Sequence, residues 1–164
     1  VLSKKPIKSD FIYLGFTIKN VAKLDDRQLK SYLEALKRLK KKVASKFAYG
    51  KVKITTSRKE GRKCCAVFDD DKDTVVLIHD YLDGEDLLST IIHEIGHRVW
   101  FLYKTDEQRR QVYCLFRKHK PEEESIFFPT AYSRVNTVEF FAENFVAFIN
   151  KKRIAKELRM IISE

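Results

Sequence analysis

Two histidines four residues apart, with a glutamate directly after the first, sit in one apolar run, Leu87-Leu88-Ser89-Thr90-Ile91-Ile92-His93-Glu94-Ile95-Gly96-His97-Arg98-Val99-Trp100. The run is long and apolar enough to be a buried helix, and on a helix positions i and i+4 share a face. His93 and His97 can therefore reach one metal ion, with Glu94 beside it. That H-E-x-x-H spacing suits zinc, because two imidazoles supply ligands while the carboxylate can take a proton from water. Five-residue patterns with two free positions also arise by chance, so a helix bearing two surface histidines is the competing reading.

A second block places Glu139 42 residues after His97: Tyr132-Ser133-Arg134-Val135-Asn136-Thr137-Val138-Glu139-Phe140-Phe141-Ala142-Glu143-Asn144-Phe145. Glu139 and Glu143 lie one helical turn apart on an otherwise apolar helix. Carboxylates are rarely buried unless paired or bound to metal. Phe140, Phe141, Phe145 and Phe148 leave little room for a solvated face around Glu139. A catalytic zinc needs three protein ligands and an open fourth position, and Glu139 is the candidate for the third. His79 and His119 compete for that place, although the basic surroundings of His119 (Arg117-Lys118-His119-Lys120) disfavour a dication. The third-histidine spacing of metzincins is excluded, because Tyr103 and Trp100 occupy its His and Gly positions.

Together, H-E-x-G-H and Tyr-x6-Glu-Phe-Phe-Ala-Glu resemble the gluzincin metallopeptidases of the anthrax lethal factor type, over roughly residues 75–150. The resemblance implies an α+β, zincin-like fold with a small mixed sheet packed on the active-site helix and a helical C-terminal half. It implies one Zn2+ per chain held by His93, His97 and Glu139, with Glu94 as general base. It further implies Tyr132 as donor to the developing oxyanion and Glu143 as hydrogen-bond partner of a zinc-binding histidine. Residues 1–74 carry nothing that matches, so no specific substrate follows from the resemblance.

The chain has 164 residues, which suits one domain spanning 1–164, with a helix-plus-sheet region over 1–82 and a helical region over 83–164. No apolar run approaches the roughly 18 residues that cross a membrane. The basic start Val1–Pro6 has no hydrophobic run after it, so no signal peptide is expected, and the missing initiator Met fits a trimmed chain or a piece of a longer protein. Cys64, Cys65 and Cys114 form a poor disulfide framework, and they read as buried or half-buried thiols in a reducing, cytoplasmic compartment. A phage, toxin or mobile-element source fits equally. The net charge of +10 would attract nucleic acid or acidic proteins. The basic residues are dispersed and lack interleaved aromatics, so a solvated surface is favoured over a nucleic-acid site. A monomer acting on a protein or peptide substrate is expected.

Along the chain, residues 11–18 include a strand, and a helix capped by Asp25 or Asp26 carries the stripe Leu29, Tyr32, Leu33, Leu36, Leu39, Val43 and Phe47 before ending at Gly50. Strands are expected at Val52–Thr56, Cys64–Phe68 and Thr74–Ile78. The acidic Asp69–Asp73 turn reads as a hairpin turn more readily than as a calcium loop. Asp83 starts the active-site helix. Gly96 in its interior implies close approach by another segment. Thr105 caps a helix over 106–119 with Val112, Cys114, Leu115 and Phe116 inward or partly so. A connection over 121–135, with Phe127 and Phe128, reads as a packed wall beside a substrate pocket. Helices over 136–150 and 153–162 follow. Extended peptides add to sheet edges through main-chain bonds. Thr74–Ile78 is the candidate edge, with Val75, Val76 and Leu77 as candidate substrate-binding residues, against an interior strand as the alternative. Two other functional readings stand beside the peptidase: a DNA-associated or repressor-cleaving H-E-x-x-H protease, and a non-catalytic module that keeps zinc for stability.

Overall fold

The computed structural model describes residues 10–19, 24–42, 53–57, 66–78, 84–119 and 126–164. The described residues form an α+β assembly of a mixed five-stranded sheet and five α-helices. The strands are β1 (Asp10–Tyr13), β2 (Phe16–Lys19), β3 (Lys53–Ser57), β4 (Ala66–Asp69) and β5 (Thr74–Ile78). The helices are α1 (Asp26–Lys42), α2 (Gly84–Tyr103), α3 (Asp106–His119), α4 (Thr137–Ile149) and α5 (Lys156–Ser163), with a single 3-10 turn at Tyr132–Arg134. Every described element after β5 is helical.

The expected strand within 11–18 is a hairpin of two strands. Leu14 and Gly15 both take positive φ, 53° and 91°, the backbone that a two-residue turn between twisted strands requires. In α1, Asp25 accepts from the Gln28 amide at 2.9 Å while the Gln28 side chain accepts from the Asp25 amide at 3.1 Å, a reciprocal cap. Tyr32, Leu36 and Leu39 from the expected stripe are buried, with Leu29 and Leu33 packed against the core. Val43, Phe47 and Gly50 lie outside the described residues, as do Cys64, Cys65, His79 and Asp83.

Sheet order is β1-β2-β3-β5-β4. β3 pairs in parallel with β2 and β5, while β4 and β5 form an antiparallel hairpin around the acidic turn, in the register Phe68↔Val75 and Asp69↔Thr74. This corrects the edge-strand assignment. Thr74–Ile78 is bonded on both sides, so the main chain of Val75, Val76 and Leu77 has no free edge to offer, and the Val75 and Leu77 side chains are fully buried. Among the described strands, the edge near α2 belongs to β4. Sequence alone could not order the strands, because β5 reads as apolar whether it is flanked or not.

One hydrophobic cluster runs from Phe16 in the sheet to Ile162 in α5. α2 is central to it and packs against α1, α4 and the β4–β5 hairpin. Thr105 and Gln108 cap α3 reciprocally. Val112 and Phe116, four apart, face inward and Leu115 is half-buried. Cys114 is exposed rather than buried, since two residues of helix turn it about 200° from Val112. Phe128 is buried against Phe116 and Phe140, so it belongs to the core and not to a pocket wall.

Candidate metal and catalytic site

The site exists because α4 lies unusually close to α2. A Cβ added at Gly96 would meet the Ala142 Cα at 3.0 Å and the Phe145 side chain at 3.3 Å. A glycine costs about 1 kcal/mol in a helix interior relative to alanine. Here it lets the two backbones meet, which carries Glu139 and Glu143 up to the histidines. Asn136 sets the start of α4: its side chain accepts from the amides of Val138 and Glu139, each at 2.9 Å. Glu139 therefore stands in the first turn, with its own amide tied down.

Three potential ligand atoms form a small triangle. The Nε2 atoms of His93 and His97 are 3.0 Å apart. Glu139 Oε2 lies 2.9 Å from His93 Nε2 and 3.3 Å from His97 Nε2. It is buried and makes no directed hydrogen bond despite this proximity. Glu94 also belongs to the constellation: His93, Glu94 and His97 each present a ligand atom within 4.8 Å of the others, so the group can hold a metal ion.

The next layer of contacts holds the triangle in place. Glu143 Oε1 lies 2.7 Å from His93 Nδ1, and its other oxygen accepts from the Thr130 hydroxyl at 2.7 Å. With Nδ1 held by a carboxylate, Nε2 is the His93 nitrogen that faces Glu139 and His97, the one a metal would take in place of a proton. Thr130 itself is fixed by Ser133, whose amide donates to the threonine hydroxyl at 3.2 Å. Asn144, fully buried, donates to the carbonyls of Phe127 and Phe140 and so ties the segment before Tyr132 to α4. Tyr132 stands at the mouth, its ring 5.8 Å from that of His93. Burial, and then the charge and hydrogen bond of Glu139, push its phenol pKa up, so the phenol keeps its proton.

The carboxylates are driven apart electrostatically. Glu94 is raised, chiefly by burial, against the pull of His97 and His93. Burial works on Glu139 in the same direction, but contact with the two imidazoles outweighs it and takes the pKa down to about 2. Burial also opposes protonation of His93, yet contact with Glu139 and Glu143 carries its pKa up to about 9. For Glu143, burial is outweighed by the hydrogen bonds from His93 and Thr130, and its pKa is lowered. The site therefore gathers negative charge and attracts a cation.

Two cavities meet at His93, Glu94 and Tyr132. One, of ≈ 580 Å³, is walled by the apolar side chains of Val67, Phe101 and Val138. The other, of ≈ 500 Å³, is walled by Ser89, Thr90, Thr130 and Lys152. β4 borders both, through Ala66.

His93, Glu94, His97, Tyr132, Glu139 and Glu143 all fall in one place, the set that the resemblance, and not spacing alone, picked out. His119 does not join them, since its ring stacks on Phe127 with centroids 3.8 Å apart. Sequence reasoning missed Thr130, Asn136 and Asn144, and it expected the strand at Cys64–Phe68 without placing it beside the site. Only Asn136 carried a signal, an Asn followed by Glu139 three residues on, the pattern of a helix start. The chain matches no protein-family profile, no curated protein and no solved structure.

Proposed function

We propose that the chain is a zinc-dependent endopeptidase of zincin-like architecture, with one zinc per chain held by His93, His97 and Glu139. The observation that carries this reading is the triangle of ligand atoms. Zinc bonds of about 2.0–2.1 Å at tetrahedral angles put ligand atoms roughly 3.3 Å apart. The measured edges, 3.0, 2.9 and 3.3 Å, lie close to that value. Two imidazoles and one carboxylate form a donor set suited to zinc, and a fourth direction is left for substrate.

When bound, zinc supplies Lewis acidity to a water molecule and to the scissile carbonyl. Glu94 accepts the proton of the attacking water and returns it to the leaving amine. The opposite pKa shifts of Glu94 and Glu139 support dividing the two carboxylates between proton transfer and ligation. Tyr132, protonated and at the mouth, donates to the oxyanion as it forms. Glu143 holds His93 in the tautomer that ligation needs. The edge of β4 offers the peptide main-chain partners beside Glu94.

The first test is elemental analysis of wild type and Glu139→Ala, both purified without added metal. One zinc per chain in wild type, mostly lost from the variant, supports the ligand set. Full zinc retention in a folded Glu139→Ala protein would overturn it.

A further inference from the structure

Arg98 follows a candidate ligand directly, yet none of the chemistry above uses it. It is 1% exposed, the largest side chain in the fully buried set. Its guanidinium makes a two-pronged pair with Asp73, Nε to Oδ1 at 2.5 Å and Nη2 to Oδ2 at 2.9 Å. A third contact runs from Nη1 to the Tyr103 hydroxyl at 3.2 Å, and the Tyr103 ring lies 5.2 Å below the guanidinium carbon. Burying a charge this completely is costly, and such a pair is weak grounds for a gain in stability. The geometry asks instead what the pair holds in position.

Asp73 closes the β4–β5 turn and takes a left-handed φ of 46°. A non-glycine residue stays in that region only where its surroundings hold it there. Glu94 and Arg98 are four apart, so they share one face of α2, and both meet the same hairpin. Arg98 grips its turn. Glu94 and Phe68 of β4 line the same cleft. β4 packs on α2 and ends the order of the described strands, so its height above α2 sets two things together: its distance from Glu94 and the placement of any strand added to that edge.

We infer that Arg98 is a positioning residue: its pair with Asp73 pins the β4–β5 hairpin to α2 and thereby holds β4, with its edge, in working register with Glu94. The inference rests on the peptidase reading for its kinetic consequence, but its mechanical content stands apart from that reading. A displacement of about 1 Å at such a site can lower turnover about a hundredfold. Lysine cannot replace the two-pronged contact, being a point charge. Arg98→Lys keeps the buried cation, while Asp73→Asn keeps the shape and removes the opposing charge, so the two variants disturb the pair in different ways.

The experiment uses the full chain loaded with zinc. It measures zinc content, thermal midpoint, kcat and KM on a cleaved peptide, and hydrogen exchange at the amides of the β4–β5 ladder, for wild type and both variants. Positioning predicts full zinc, at least a tenfold loss of protection across the β4–β5 ladder, and at least a tenfold fall in kcat with KM changed less than threefold. A lowered midpoint with ladder protection and kcat at wild-type values would overturn the inference and leave a simple staple. A fall in kcat with protection unchanged would overturn it too, because the effect would not pass through β4. If wild type cleaves no peptide, the peptidase reading fails by itself, and the exchange measurement still decides whether Arg98 holds β4.

Discussion

His93 is gripped from both sides of its ring: Nδ1 lies 2.7 Å from Glu143 Oε1, and Nε2 lies 2.9 Å from Glu139 Oε2. The first contact chooses the tautomer and the second marks where a metal would bind. Glu143→Gln replaces an acceptor-only group by an amide, while leaving every atom of the triangle in place. We expect zinc affinity to fall tenfold to a hundredfold, the usual cost of losing a partner behind a ligating imidazole. Competition titration with a chromogenic chelator measures it, and unchanged affinity would remove Glu143 from the ligand support.

Glu94→Gln should keep one zinc per chain and lose turnover by several orders of magnitude, because the amide cannot take a proton. Tyr132→Phe should also keep zinc and lose about a hundredfold in kcat, the scale of a missing oxyanion donor. Near wild-type cleavage by Glu94→Gln, measured on the same peptide, would refute the assigned mechanism.

Gly96→Ala sets helix propensity against packing. Alanine gains about 1 kcal/mol in a helix interior. The new Cβ meets the backbone of Ala142 at 3.0 Å, and a backbone atom cannot rotate away. Overpacking of this kind costs typically 1–3 kcal/mol. The variant is expected to be less stable in urea and to bind zinc more weakly, since α4 must retreat and take Glu139 with it. A more stable variant with unaltered zinc affinity would contradict the close-approach account.

Asn136→Ala removes the side chain that caps two amides of α4. A lost N-cap costs about 1 kcal/mol. Since Glu139 supplies one of those amides, fraying should also weaken zinc binding, and Asn136→Asp should restore both. Equal zinc affinity for all three proteins would separate the cap from the site.

For the zinc-free protein, the shifts imply a definite pH dependence. His93 rises from 6.5 to about 9, so its contribution is fully present below pH 6.5 and is lost as pH climbs through about 9. Glu139 falls from 4.5 to about 2, so its contribution is present above pH 4.5 and is lost as pH drops toward about 2. Both shifts include the same contact and do not add. In EDTA the thermal midpoint should be highest between pH 4.5 and 6.5 and decline on either side. Saturating zinc should lift the alkaline side, because metal then takes the place of the proton. A midpoint that rises steadily from pH 6.5 to 9 in EDTA would rule this out.

Much of the site was legible because its residues are local in sequence. His93, Glu94 and His97 share one helix, Glu139 and Glu143 another, and helical spacing alone assigns each set to a face. Gly96 was legible as a point of close approach, although its partner, the Ala142 backbone, was not. The β4–β5 hairpin was readable from two apolar runs around Asp69–Asp73. Its order in the sheet was not, and the choice of Thr74–Ile78 as the edge failed there. Arg98 gave no sign at all, since a basic residue after His97 reads as surface until its burial is seen.

Periodicity and residue chemistry, both local properties, thus determined which side chains are able to ligate, to take a proton or to cap a helix. Tertiary structure decided which of them meet: that α4 comes close enough to α2 to bring Glu139 within 3.3 Å of both imidazoles, that β4 ends the order of the described strands, and that Arg98 is buried against Asp73. Those outcomes depend on packing between segments distant along the chain, where many arrangements share one pattern of apolar and polar residues and only close-packed contact separates them.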